Sequence, residues 1–268
     1  MKDSERRSSL SVPVPRFPAD EEPVTAVNRA VLLAAGPGTR LGPLTDNRPK
    51  PMLLVGGRPL IEYTVLRLAR SGVQELMINL HHHADAVCRH FGDGRSHGVK
   101  IGYSFEEELL GTAGAVKRIA AWLRGKPFFV VYGDNLTTCN FERLVQAHLA
   151  GAATATLALF WKDDVTPHSA VELQPDDRIS QFVEKPKAAE APSHWISAGV
   201  NVMQPCILDS IPDDRPSDFG FDIFPRLLRE GRRIQGYRMS PSEGLWWIDT
   251  VEHYERVCAL WETGAPPI

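Results

Sequence analysis

Ala30-Val31-Leu32-Leu33-Ala34-Ala35-Gly36-Pro37-Gly38-Thr39-Arg40-Leu41-Gly42-Pro43-Leu44-Thr45 carries the reading of this chain, together with Pro49-Lys50-Pro51-Met52 just beyond it. The apolar run Ala30–Leu33 reads as a buried strand. It feeds a glycine-rich turn, where backbone can approach a ligand closely and exposed N–H groups favour anions. Arg40 and Lys50 add fixed positive charge at two further points. The loop is therefore suited to a polyphosphate, with Ala34, Ala35, Gly36, Gly38, Thr39 and Arg40 as its candidate contacts. A Walker loop is excluded, because no G-x-x-x-x-G-K-[ST] is present. A dinucleotide fingerprint is one residue short, with Leu41 where its last glycine belongs. Gly-Pro-Gly alone is often only a turn. A plain turn does not require Thr39-Arg40 and Pro49-Lys50-Pro51 at these spacings.

Outward from this loop, strand patterns alternate with helical ones. Leu60–Ala69 has helical spacing and ends before Gly72. Glu75–Leu80 reads as a strand, Ala84–Phe91 as a short helix and Val99–Tyr103 as a strand. Gly114–Leu123 reads as a helix, Phe128–Tyr132 as a central buried strand, Phe141–Leu149 as a helix and Thr154–Phe160 as a strand. Such alternation predicts an α/β fold with a mostly parallel, doubly wound sheet. Ligands of such sheets sit at the carboxyl ends of strands, where the loop, Asn79 and Gly133-Asp134 all fall. The second half is more mixed. Ala170–Leu173 and Ile179–Val183 flank a Pro175-Asp176-Asp177 turn, then come a strand at Trp195–Met203 and helices at Phe221–Arg229 and Thr250–Trp261.

The chain has 268 residues and a formal net charge of −3, with acids and bases well mixed. That size allows one large α/β domain with a small annex. The charge balance argues against nucleic-acid binding as the main business. No apolar run approaches a membrane span. Four widely spaced cysteines, Cys88, Cys139, Cys206 and Cys258, indicate neither a zinc site nor a disulfide framework, and suit a reducing, cytoplasmic setting. Residues 1–28 are polar and proline-bearing, without the apolar centre of a secretory signal, and are expected to be a disordered tail. Residues 29–268 are the expected catalytic domain. Homo-oligomerisation is compatible with the sequence.

Two carboxylates end strand-like runs: Asp134 after Tyr132-Gly133, and Asp249 after Trp246-Trp247-Ile248. A Mg²⁺ ion carrying substrate phosphates is typically held by one or two carboxylates plus waters. Asp134 and Asp249 could supply them from two sides of a cleft; each could instead cap the helix that follows. Glu106-Glu107-Glu108 reads either as a solvated charge run or as a lead-in to Leu110-Gly111-Thr112-Ala113-Gly114, whose glycines suit close backbone approach. His81-His82-His83 is a poor metal site, since consecutive strand residues point apart.

The whole loop string resembles the signature G-x-G-T-R-L-x-P-L-T-x-x-x-P-K-P of sugar-1-phosphate nucleotidyltransferases. The Leu-Gly-Thr-Ala-Gly string resembles that family's nucleobase-proximal motif, and its glutamate-rich lead-in is most similar to GDP-mannose pyrophosphorylases. Phe182-Val183-Glu184-Lys185-Pro186 is similar to the family's F-x-E-K-P motif, which implies that Glu184 contacts sugar hydroxyls and Lys185 the sugar phosphate. Ser197-Ala198-Gly199-Val200-Asn201 resembles the sugar-pocket string N-A-G-I-Y. Serine here replaces the asparagine and Asn201 the aromatic residue, which leaves the sugar open. Asp218–Pro225 resembles a helix entry of mainly structural role. The closing Asp249-Thr250-Val251-Glu252-His253-Tyr254 is two residues shorter than the family's D-I-G-T-P-E-x-Y. The resemblance covers about residues 29–257, and the β-helix domain appended in several relatives is expected to be missing.

The resemblance implies in-line attack of a sugar-1-phosphate oxygen on the α-phosphorus of a nucleoside triphosphate, with pyrophosphate leaving. The nucleophile is already an anion, so alignment and charge neutralisation suffice. Arg40, Lys50, Asp134 and Lys185 are the expected catalytic residues. Nucleotide contacts extend to Asn79, Glu107, Gly111, Thr112 and Gly133. Substrate contacts are Lys50, Glu184, Lys185, Ser197, Gly199 and Asn201, and the Mg²⁺ ligands are Asp134 and Asp249. The resemblance favours GTP and a mannose- or heptose-1-phosphate. Uridylyl or thymidylyl transfer, a cyclitol phosphate acceptor and a non-catalytic regulatory subunit of the same fold stand as alternatives. A nicotinamide or flavin oxidoreductase would need a complete G-x-G-x-x-G and an acid ending the second strand, where Asn79-Leu80 stands instead.

Overall fold

The computed structural model describes residues 27–213 and 215–263, so the expected tail lies, but for its last two residues, outside the described residues. The first half contains β1 (Arg29–Leu33), β2 (Leu54–Val55), β3 (Arg58–Pro59), α1 (Leu60–Arg70), β4 (Glu75–Leu80), α2 (Ala84–Phe91) and β5 (Lys100–Phe105). It continues with α3 (Gly111–Arg118), α4 (Ala120–Leu123), β6 (Phe128–Tyr132), β7 (Asn135–Thr137), α5 (Phe141–Gly151) and β8 (Ala155–Trp161). The second half adds β9 (Ser169–Leu173), β10 (Ile179–Glu184), β11 (Trp195–Met203), α6 (Phe224–Arg229), β12 (Ile234–Arg238), β13 (Leu245–Trp247) and α7 (Val251–Glu262).

Nine of these strands form one sheet. Its β6-β1-β4-β5 run is parallel, with Leu33 in register with both Asn79 and Tyr132. The ends of three strands therefore lie side by side. Alternation along β1 divides the core: Ala30 and Leu32 pack under α1, α2 and α5, while Val31 and Leu33 pack under α3, α4 and α6. Burial on both faces is what the continuous apolar runs of β1 and β6 require. A third cluster joins Leu41, Leu53 and Leu60 to Leu136, Ile248 and Val257, which packs the glycine-rich loop and α7 together.

Beyond β6 the sheet turns antiparallel. β11 pairs antiparallel with β6, β8 and β9, and β9 forms the predicted hairpin with β10. β12, which the sequence pattern does not announce, adds parallel to β8. The helix expected over Gly114–Leu123 starts at Gly111 and breaks at Ile119 into two pieces. The helix expected from Phe221 begins as a wide π turn, Phe219–Ile223. Pro225 has no N–H to give the preceding turn, and Asp222 Oδ2 accepts the Asp218 N–H at 2.8 Å, which together open that entry. Among the described residues, no helix is long and apolar enough to cross a membrane.

Candidate active site

Two cavities meet over the strand ends. The loop-side chamber, about 380 Å³, is walled by the glycine-rich loop, Asn79, Glu106 and Gly111. The strand-side chamber, about 400 Å³, is walled by residues of β9, β10 and β11. Arg40, Thr112, Tyr132, Asp134, Asp218 and Asp249 line both and form their common wall.

The common wall carries the charge. Lys50, buried, places its Nζ 2.8 Å from Asp134 Oδ2 and 2.8 Å from Asp249 Oδ1. Burial works against the ammonium, but the two carboxylates outweigh it and hold Lys50 above its ordinary pKa. Burial likewise opposes the Asp249 carboxylate, and Lys50 outweighs it and pulls that pKa down. Arg40 stands at the rim, Nη2 3.5 Å from Asp249 Oδ1 and largely exposed. Neither carboxylate caps a helix. Asn140 caps α5 by accepting the Arg143 N–H, and Thr250 caps α7 by accepting the His253 N–H. Asp134 lines both chambers, and its Oδ1 is buried with no hydrogen-bond partner, so the protein leaves that oxygen uncommitted.

The loop-side chamber is braced from beneath. Asn79 Oδ1 accepts the Ala34 N–H at 2.7 Å, and Asn79 Nδ2 donates to Glu106 Oε1 at 2.8 Å. Glu106 Oε2 in turn accepts the Leu110 N–H at 3.0 Å. Strand-end alternation at this point buries Glu106 and turns Glu107 out to solvent. Glu107 is thus corrected: it does not line the chamber, and Glu106 does. Gly133 is also not a lining residue; its N–H donates to Leu33 O at 2.8 Å and ties β6 to β1. Ala34, Ala35, Gly36, Gly38, Thr39, Arg40, Asn79, Gly111 and Thr112 all line the chamber. Thr112 is fixed by Asp218 Oδ1, which accepts both its N–H and its hydroxyl at 3.1 and 3.0 Å.

Glu184, Lys185, Ser197, Gly199 and Asn201 all line the strand-side chamber. Lys185 has φ 48°, a left-handed turn that swings its side chain toward Phe221, with Nζ 5.8 Å from the ring centre. Glu184 Oε2 accepts the Ser169 hydroxyl and leaves no room for a Cβ at Gly220. Gly199, φ 71°, sits where the pairing of β11 with β8 slips, and an added Cβ would stand 3.1 Å from Tyr132. Asn201 Nδ2 donates to Val130 O at 3.3 Å, and its Oδ1 is buried without a partner.

His168 and Trp247, which no sequence motif flags, also line this chamber. Their ring centres lie 4.3 Å apart with the planes tilted by 38°, and Lys162 Nζ donates to His168 Nε2 at 2.9 Å. Burial first, then the Lys162 charge, lowers the His168 pKa to about 4, so the ring is neutral. Neither residue belongs to a recognisable string, so only the fold could bring them in. His81, of the histidine triplet, puts Nδ1 2.8 Å from Glu106 O and so supports the loop-side wall.

Residues 29–256 match the nucleotidyl transferase family. A mannose-1-phosphate guanylyltransferase of Mycobacterium tuberculosis is 33% identical over 241 residues, covering 89% of this chain and 66% of that protein. A UTP–glucose-1-phosphate uridylyltransferase of Synechocystis is 32% identical over 237 residues, covering 82% and 59%. The chain thus spans roughly three fifths to two thirds of the length of these curated relatives. The crystal structure of HddC from Yersinia pseudotuberculosis shares the fold at a TM-score of 0.74 and 23% identity, over 87% of this chain and 99% of that one. A UDP-glucose pyrophosphorylase complexed with UDP-glucose does so at 0.77 and 19%, over 89% and 99%. With this match across its parallel sheet, both chambers and the common wall, the chain belongs to the nucleotidyl transferase family.

Proposed function

We propose that the chain transfers a nucleotidyl group from a nucleoside triphosphate to a sugar-1-phosphate, giving a nucleoside diphosphate sugar and pyrophosphate. The observation that carries this reading is the common wall: Lys50 bonded to Asp134 and Asp249, with Arg40 at the rim, where two chambers of similar size meet. The loop-side chamber takes the triphosphate and base; the strand-side chamber takes the sugar phosphate. The 1-phosphate oxygen forms a bond to the α-phosphorus as the bond to the β-phosphate bridging oxygen breaks, and pyrophosphate leaves with that electron pair. No proton is transferred, so the neutral His168 need not act as a base.

Each residue contributes position and charge. Arg40 offsets charge on the departing pyrophosphate. Lys185 holds the incoming phosphate and Glu184 the sugar hydroxyls. Lys50, paired with both carboxylates, fixes the wall between the substrates, with its remaining N–H free to meet the α-phosphate. Asp134 and Asp249 suit Mg²⁺: two hard carboxylates converge there, and Asp134 Oδ1 lacks any hydrogen bond. Bound there, Mg²⁺ would neutralise charge on the phosphoryl oxygens.

For the base, the guanylyltransferase relatives favour GTP. Guanine presents N–H donors and an O6 acceptor. Glu106 keeps unused lone pairs for the former, and Asn79 one amide hydrogen for the latter. Uridylyl transfer is the second reading, favoured by the Synechocystis relative. Pyrophosphate release with Mg²⁺, run for four nucleoside triphosphates against mannose-, heptose- and glucose-1-phosphates, tests this. Release with GTP and one sugar is expected. Release only with UTP or dTTP overturns the base, and no release from folded protein overturns the reaction.

A further inference from the structure

A second titratable cluster stands apart from both chambers. Glu62 lies in the first turn of α1, His90 in the last turn of α2, and His97 in the short turn Arg95–His97. One ligand atom from each can be chosen so that all lie within 4.8 Å of one another. Glu62 Oε2 is 2.6 Å from His90 Nε2, and Glu62 Oε1 is 3.8 Å from His97 Nε2. Ligands about 2.0–2.1 Å from a tetrahedral ion stand roughly 3.3 Å apart, a spacing that three atoms already within 4.8 Å of one another reach by small side-chain adjustment.

We propose that Glu62, His90 and His97 bind a transition-metal ion of the zinc class, a site distinct from the carboxylate wall. Two imidazoles and one carboxylate suit Zn²⁺, Co²⁺ or Ni²⁺, whereas Mg²⁺ selects oxygen. His97 is oriented to act as a ligand, since its Nδ1 is 3.0 Å from Ser96 Oγ, which leaves Nε2 directed at the cluster. Phe91, buried, packs its ring 4.7 Å from that of His90 and 5.0 Å from that of His97, and so dries one side. His90, partly exposed, leaves a route to solvent. Arg58 competes, with Nη1 2.6 Å from Glu62 Oε1. Its side chain is one-third exposed and lies 5.8 Å over Tyr63, so it can withdraw. The bound ion would tie α1 to α2 and to the turn after it. Ile61, beside Glu62, packs in the core cluster that holds Leu32 of β1 and Val131 of β6, so the clip would brace the layer beneath these strands.

The full chain, stripped with a chelator, is titrated with Co²⁺ while its visible spectrum is followed, and then with Zn²⁺ in competition. The expected result is one saturable equivalent with a tetrahedral-type band that Zn²⁺ removes and millimolar Mg²⁺ does not. His90→Gln/His97→Gln abolishes the band, and Arg58→Gln tightens binding because a competing cation is gone. The Arg58 variant keeps both imidazoles, so it reads the site even if the double variant is unstable. Absence of a saturable band overturns the proposal. So does a band that survives in the double variant, which would belong to His81–His83, or weaker binding in Arg58→Gln.

Discussion

The loop-side chamber is walled largely by backbone held on buried hydrogen bonds, whereas the strand-side chamber is walled by side chains on antiparallel strands. In the first, the Ala34–Asn79–Glu106–Leu110 chain fixes where N–H groups point. In the second, Lys185, Glu184, His168 and Trp247 come from three separate segments around a bulged strand. The difference matches what each would recognise in the proposed reaction. A triphosphate is met by a rigid array of N–H groups on any such enzyme, while a sugar is told from its epimers by side chains that can be exchanged. Mutations on the common wall should therefore stop chemistry, those on the loop side weaken the nucleotide, and those on the strand side alter the acceptor.

The largest effect is expected at Lys50. Lys50→Ala leaves two carboxylates facing each other, and kcat should fall about 10²–10³-fold with the fold intact by circular dichroism. Turnover within a few-fold of the parent would mean that the wall is not the reacting centre. Asn79→Ala strips the Ala34 N–H and Glu106 Oε1 of their partner. It should cost about 1–3 kcal/mol in denaturant unfolding and raise KM for the triphosphate more than for the sugar phosphate. An equal rise in both KM values would erase the division between chambers.

Gly199→Ala forces φ 71° on a residue with a Cβ and presses it on Tyr132. A loss of about 1–2 kcal/mol is expected, read as a Tm lower by roughly 2–8 °C, with sugar-phosphate KM affected before nucleotide KM.

The smallest effect concerns pH. His168 has its pKa lowered to about 4, against an ordinary 6.5. Between those values the unfolded chain binds the proton and the native one does not, so native stability falls as pH drops from 6.5 toward 4. His168→Gln should make that acid-side slope shallower in urea unfolding; an unchanged slope would show that the ring is already protonated in the native state.

Much of the site is legible in the sequence because strand ends and short strings are local. Arg40, Lys50, Asp134, Glu184 and Lys185 stand in contiguous motifs, and β1, β4 and β6 in unbroken apolar runs. What escapes depends on the fold in space. Glu106 and Glu107 are indistinguishable as letters, and only the strand-end alternation decides which is buried. Asp218 reaches Thr112 across 106 positions, and His168, just before β9, meets Trp247 of β13. β12, five residues with a central glycine, has too little pattern to declare itself, and is a strand because β8 offers it an open edge. The Glu62–His90–His97 cluster likewise arises only when α1, α2 and the following turn are packed together.

If the two substrates react across the wall that both chambers share, Asp134→Asn should separate chemistry from binding. The decisive measurement is single-turnover pyrophosphate release with Mg²⁺, alongside metal-free binding of the nucleoside triphosphate. Release should slow about 10²–10³-fold with nucleotide binding little changed, because Asp134 lines both chambers with one oxygen uncommitted, while in the proposed reaction the loop braced by Asn79 is what would hold the nucleotide. Release at the parent rate, or loss of metal-free binding in step with release, would contradict a reaction across the shared wall.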